Sequence, residues 1–201
     1  MDNASTHALA LFDRHGGILR TSDALCAGIH PRILYALRDQ GAISLIARGL
    51  FRRADLPPLG EPYLIAVARR IPDAVVCLVS ALVVHRLTTQ VPHDVDIALP
   101  RSAYRPTQGQ PPLRIFHFSG KAMTEGVEIH DMDGTSVRIF SAEKTLADIF
   151  KFRHRLGLDI ALEALRTYRR RRGANLQAVL EFARVCRVER VMRPYLETSA
   201  A

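Results

Sequence analysis

Along the first fifty residues, apolar positions recur at helical spacing in short runs, each broken by glycine or proline. Ala8, Leu9, Leu11 and Phe12 mark one face of a helix over residues 5–15 that stops at Gly16-Gly17. Residues 18–20 read as a short strand. A second short helix follows, capped by Thr21 or Ser22, with Leu25 inward and Gly28 at its end. Pro31 suits the first position of a third helix, where its fixed φ and missing N–H cost nothing, and Gly41 ends that helix. On it, Ile33, Leu34 and Leu37 fall on one side, and Arg32, Tyr35, Arg38 and Asp39 fall largely on the other. Residues 42–47 (AISLIA) and 50–53 (LFRR) flank Arg48-Gly49 and predict a β-hairpin with glycine supplying the turn. Three helices followed by a hairpin predict a winged helix-turn-helix domain over residues 1–56.

The pattern changes after residues 54–62 (ADLPPLGEP), a proline-rich stretch without periodicity that reads as a linker. Tyr63, Leu64, Val67 and Ala68 predict a helix ending before Pro72, and residues 74–87 a buried, partly helical segment. Residues 95–99 (VDIAL), 114–118 (RIFHF), 127–130 (VEIH) and 137–140 (VRIF) have the character of strands, the last two joined through Asp133-Gly134. Ser141 caps a long helix running to about Arg155, and helices over 158–171, 175–186 and 188–196 follow. The expected fold class is α+β. A mixed α/β domain over residues 60–201, with a small central sheet and a helical C-terminal tail, follows the winged helix.

Composition narrows the partners. The chain has 201 residues, 48% of them hydrophobic, enough for a packed core. The 28 Lys+Arg against 20 Asp+Glu leave a formal charge of +8, which favours an anionic partner such as nucleic acid or an acidic protein. Cys26, Cys77 and Cys186 lie far apart in mostly apolar settings, so they read as small core residues and not as a disulfide or zinc framework. The first residues show no basic leader, and the longest apolar run, 74–84, is too short to span a bilayer. The expectation is a cytoplasmic protein.

For the winged helix the chemistry points to DNA. A helix enters the major groove, where Arg32 and Arg38 can read guanine with Tyr35 beside them. Arg48, Arg52 and Arg53 of the hairpin are placed to hold phosphates or probe the minor groove. The alternative is a protein-contact module with solvated arginines. Residues 1–56 carry seven Arg against five Asp, and this modest excess argues for site-specific binding by a dimer or paired units on DNA.

Further along, several phrases resemble the AbiEi-like antitoxins of type IV toxin-antitoxin systems. They are Ser80-Ala81-Leu82-Val83-Val84-His85-Arg86-Leu87-Thr88, then Val91-Pro92 and the strand after it, then Ser141 to Phe150 (SAEKTLADIF), and Gly157-Leu158-Asp159. The resemblance extends over nearly the whole length and rests on the order of these phrases. It departs at Arg86, where a small residue is expected after His85. The resemblance implies a first domain that binds repeats in its own promoter and represses the operon, and a second that counteracts a nucleotidyltransferase-like toxin encoded beside it. No cofactor is implied. For the partner face, or a secondary DNA surface, the best physical candidate is the basic tract Lys151, Arg153, Arg155, Arg166, Arg169, Arg170, Arg171 and Arg172.

Two other readings stand beside this one. The first is a ligand-responsive winged-helix repressor. The second is a degenerate nucleotidyltransferase, for which Ser80 and the pair Asp94 and Asp96 are the best residues, since carboxylates two apart on a strand share a face and suit Mg²⁺. Val79 and Ala81 flank the serine where glycine should admit a phosphate, so Asp94 and Asp96 are expected to be a solvated strand start and the chain not to be an enzyme. His85, His93, His117 and His130 lack metal-ligand spacing, although His117 and His130 are candidates to face each other on neighbouring strands.

Overall fold

The structure, a computed structural model, describes residues 3–104, 106 and 109–197. It divides into two compact units. The first comprises Met1–Pro72, Pro106–Pro111 and Asp131–Val137; the second comprises Asp73–Arg105, Pro112–His130 and Arg138–Ala201. The mixed α+β class is as expected.

In the first unit, α1 (Asn3–Arg14) buries Ala8, Leu11 and Phe12. Gly16 and Gly17 then reverse the chain at positive φ, a conformation that strains any side chain, and a Cβ on Gly17 would also push the Leu56 side chain aside. Next come β1 (Ile18–Arg20), α2 (Thr21–Cys26), α3 (Pro31–Asp39), β2 (Ile43–Ala47) and β3 (Leu50–Arg53). The strands form an antiparallel sheet in the order β1-β3-β2. One apolar cluster joins Phe12 of α1, Leu34 and Leu37 of α3 and Phe51 of β3. This is a winged helix. Then α4 (Pro62–Arg70), with proline in its first turn, adds Ile65 and Ala66 to a second cluster with Ile18, Ala47 and Leu50.

Two expectations for this unit fail. Leu25 is exposed and Ala24 takes the buried place, because α2 is only 6 residues long and shows the sheet a single position. Cys26, at the end of the same helix, is also exposed, whereas Cys77 and Cys186 are buried as expected.

Beyond α4 come β4 (Val75–Val76), α5 (Leu78–Val84), β5 (Val95–Pro100), β6 (Leu113–Phe118), α6 (Lys121–Thr124), β7 (Val127–Met132) and β8 (Thr135–Phe140). The sheet order is β6-β5-β4-β8-β7, with β4 antiparallel to β5 but parallel to β8, and β5 parallel to β6. The β7–β8 turn has Asp133 and Gly134 both at positive φ, the geometry an Asp-Gly pair favours. Because β6 and β7 are opposite edges, His117 and His130 do not face each other. His130 instead meets the ring of His85, 5.9 Å between centroids, and Glu128 at 3.0 Å.

Four helices and a short turn complete the unit: α7 (Ala142–Lys151), α8 (Arg153–Leu156), α9 (Leu158–Arg169), α10 (Leu176–Val185) and α11 (Glu189–Glu197). Ser141 caps α7 by accepting the Lys144 N–H at 3.2 Å. The single helix expected to reach Arg155 breaks at Phe152, whose ring turns in against Phe116 and Phe118.

At the centre of α7, Lys144 and Asp148 are fully buried and paired at 2.5 Å, one helical turn apart. The ammonium also lies 4.1 Å from the Phe140 ring centroid, and the Cys186 thiol donates to Asp148 at 3.1 Å. Burial raises the Asp148 pKa against the pull of Lys144, and burial likewise pushes the Cys186 thiol to about 12.

Removing one partner strands a buried charge, so Lys144→Met should cost about 3–5 kcal/mol in urea denaturation, while the double change Lys144→Met with Asp148→Leu should recover most of that loss. Thiol labelling of the native protein at pH 8 should modify Cys26 alone, since the other two thiols are buried and held protonated. Labelling of Cys77 or Cys186 at the same rate would contradict the packing described.

Candidate nucleic-acid interface

The geometry of α3 begins at its cap. His30 Nδ1 accepts the Arg32 N–H at 3.2 Å, and Pro31 fixes the first turn. With Leu34 and Leu37 anchored inside, Arg32, Tyr35, Ala36 and Arg38 are left on the exposed face. Arg38 lies 5.2 Å over the Tyr35 ring and bonds Asp39 at 2.8 and 3.0 Å, so phenol and guanidinium are set as one unit.

Beside this face, the β2–β3 hairpin presents Arg48 at its turn, with Gly49 at φ +70°. Thr21 at the start of α2 donates its N–H to the Gly49 carbonyl at 2.9 Å, which pins the turn back onto the domain. A depression of about 550 Å³ lies here, lined by residues that include Tyr35, Arg38, Leu45, Arg48 and Tyr63. Leu45 and Tyr63 were not legible as surface groups. Regular alternation would set Leu45 with Ile43 and Ala47 on the buried side, but a register shift between Leu45 and Ala47 leaves it 52% exposed.

The other two hairpin arginines are engaged within the protein. The Arg52 guanidinium donates to the Leu56 carbonyl at 3.2 Å and to that of Pro57. Arg53 bonds Asp55 at 2.5 and 2.9 Å and Asp13 of α1 at 2.6 Å, and these carboxylates hold its pKa above the ordinary value. Of the six predicted groups, Tyr35, Arg38 and Arg48 line one depression and Arg32 is exposed on the same helix as the first two, while Arg52 and Arg53 fasten β3 to its surroundings.

The basic tract of the second unit is not gathered into one place. Lys151 lines one cavity, Arg155 a second with Arg114, and Arg166 and Arg169 a third. Arg153 donates to the Phe150 carbonyl at 3.0 Å, and Arg169 to those of Tyr195 and Leu196 at 3.1 and 3.2 Å. Arg170 and Arg172 are exposed, and Arg171 is half-buried.

The carboxylates suggested for metal chemistry differ sharply. Asp94 is half-buried in the depression near Arg114 and Arg155, but Asp96 is fully buried and not solvated. Its two oxygens take Arg114 at 2.6 and 2.9 Å, one also accepts the Val79 N–H at 3.0 Å, and its own N–H donates to Ser80 Oγ at 2.9 Å. Alternation along the sequence does not reveal that β5 is an interior strand, which is why Asp96 departs from the expected solvated position. Among the described residues, no group of three or more His, Cys, Asp and Glu is placed to hold a metal ion.

Residues 8–54 match the family described as "Transcriptional regulator, AbiEi antitoxin", so the N-terminal region resembles an AbiEi-like antitoxin, which supports a DNA-binding regulator. Over the whole chain the fold is similar to that of the RV2827C protein from Mycobacterium tuberculosis. There the TM-score is 0.57 at 15% identity, covering 100% of this chain and 83% of that one. No curated protein matches the chain. Among the described residues, no helix is long and apolar enough to cross a membrane.

The Asp96 arrangement gives a direct test of a structural role. Asp96→Ala leaves the Val79 N–H and the Arg114 guanidinium without their partner and should lower stability by about 3–5 kcal/mol in chemical denaturation. Asp94→Ala should change it by less than about 0.5 kcal/mol.

Proposed function

We infer that this protein is an antitoxin and autoregulator of a type IV toxin-antitoxin system. Its first unit reads repeats in its own promoter and represses the operon, and its second counteracts a nucleotidyltransferase-like toxin encoded alongside. The observation that carries the DNA half is the exposed set Arg32, Tyr35 and Arg38 on α3 with Arg48 at the hairpin turn beside it. The winged-helix topology and the family match over residues 8–54 support the same reading. The antitoxin half is supported by that family description and by the order of sequence phrases in the second unit. Repeats in the promoter suit a dimer or paired copies, since each winged helix covers one half-site.

In this reading α3 lies in the major groove. Arg32 and Arg38 contribute base-edge or phosphate contacts, Tyr35 and Leu45 contribute apolar contact with thymine methyls, and Arg48 tracks the backbone. Arg52 and Arg53 act indirectly by fixing the hairpin's path.

Fluorescence anisotropy on the upstream DNA against scrambled DNA tests this. Arg32→Ala and Tyr35→Ala should weaken the cognate site selectively by about 1–3 kcal/mol, whereas Arg48→Ala should weaken both DNAs and reduce the salt slope by about one. Arg53→Ala should chiefly lower thermal stability. Undiminished cognate binding in the first three variants would remove the interface from this face. In cells carrying the neighbouring toxin gene, the Arg32→Ala protein should derepress the promoter yet still protect growth, because the two activities reside in different units.

A further inference from the structure

A cavity of about 670 Å³ opens in the second unit, within the range that holds small organic ligands. Four cations line it: Arg101 after β5, Lys121 at the start of α6, Lys151 at the end of α7 and Arg187 just past α10. Ser119 and His117 add polar groups, and Phe118, Phe152, Ala122 and Val185 form an apolar wall. Among the described residues, no carboxylate lines it. Lys121 has Glu125 at 3.5 Å, and Arg101, Lys151 and Arg187 make no side-chain hydrogen bond or ion pair with any described residue.

Sequence-distant cations converging on one depression repel one another unless an anion lies between them. A helix C-terminus accounts for Lys151 and Arg187, since cations there suit the dipole, but it accounts for neither Arg101 nor Lys121. Arg187 carries a second signal. It sits at φ +59° where α10 ends, with the Val188 N–H donating to the Ala183 carbonyl at 2.8 Å. That left-handed position ordinarily takes glycine, so a long cation there is kept against the backbone's preference. Arg86, at φ +55° after α5, occupies the same kind of position but does not line this cavity.

We propose that this cavity binds a nucleoside polyphosphate, its phosphates held by Arg101, Lys121, Lys151 and Arg187 and its base seated on the apolar wall at Phe152. The volume exceeds what inorganic phosphate fills, and the mixture of convergent cations with one aromatic-lined wall matches a ligand that is anionic at one end only. The site lies entirely in the second unit and is independent of the DNA-binding reading.

The test is calorimetric titration of the full-length protein with ATP, GTP, CTP and UTP, inorganic triphosphate and a short single-stranded RNA. At least one nucleoside triphosphate should bind more tightly than inorganic triphosphate, and Arg101→Ala and Arg187→Gly should each weaken it about tenfold. Arg187→Gly relieves the backbone, so its Tm should equal or exceed that of the parent, which keeps lost binding distinct from lost folding. Arg86→Gly should relieve the backbone in the same way and leave affinity unchanged. The proposal is overturned if no nucleotide binds, if both cavity substitutions leave the affinity intact, or if only RNA binds and free nucleotides fail to compete.

Discussion

The second unit is organised around a charge pair that has no access to water. Lys144 and Asp148 lie one turn apart on α7, against the Phe140 and Phe118 rings, with Cys186 of α10 as a third member. Isolated, either charge would be expelled from such a site; together they demand one position of α7 against the sheet and of α10 against α7. Gly126 is part of the same requirement, because a Cβ there would come within 2.8 Å of Lys144 Cβ and 2.9 Å of the Phe182 ring. Asp96 does similar work on β5, joining the start of α5 to β5 and β6 through Val79, Ser80 and Arg114.

In the first unit, the division among arginines is the main electrostatic fact. Arg20, Arg52 and Arg53 spend their donors inside the domain, on Asp23, on backbone carbonyls and on Asp13 and Asp55. Arg32 and Arg48 make no such bond to any described residue, and Arg38 is braced only by its neighbours Asp39 and Tyr35. Arg32 and Arg48 are thus presented to solvent, whereas Arg20, Arg52 and Arg53 are half-buried. Counting charges along the sequence gives the excess; only the partners of each guanidinium show where it is presented.

The winged helix was legible because its signals are local: Pro31 and Gly41 bound α3, and Arg48-Gly49 makes the hairpin turn. The cap at Ser141 was local in the same way. What escaped was set by distant partners. At 2 residues, β4 is too short for any periodicity, yet it is the central strand. The break at Phe152 depends on a pocket built by Phe116 and Phe118, thirty-odd residues earlier in the chain. The burial of Asp96 follows from neighbours supplied by β4 and β6. The departure at Arg86 has a local cause that the sequence hid, since a small residue is expected there because the backbone turns left-handed after α5. In the candidate interface, the α3 residues were readable from helical spacing, whereas the engagement of Arg52 and Arg53 by Pro57, Asp13 and Asp55 was not.

The placement of β4 also bears on the order in which the chain acquires structure during synthesis. The three-stranded sheet of the winged helix closes between residues 18 and 53, so its hairpin and helices can assemble soon after they leave the ribosome. Val76 must wait for Ile139 before the five-stranded sheet is continuous, and α7, which covers it, comes later still. A nascent chain therefore carries a nearly complete winged helix while the half with the buried charge pair is unfinished and its apolar sheet face uncovered. The sheet of the second unit is thus the part whose apolar face stays uncovered longest during synthesis.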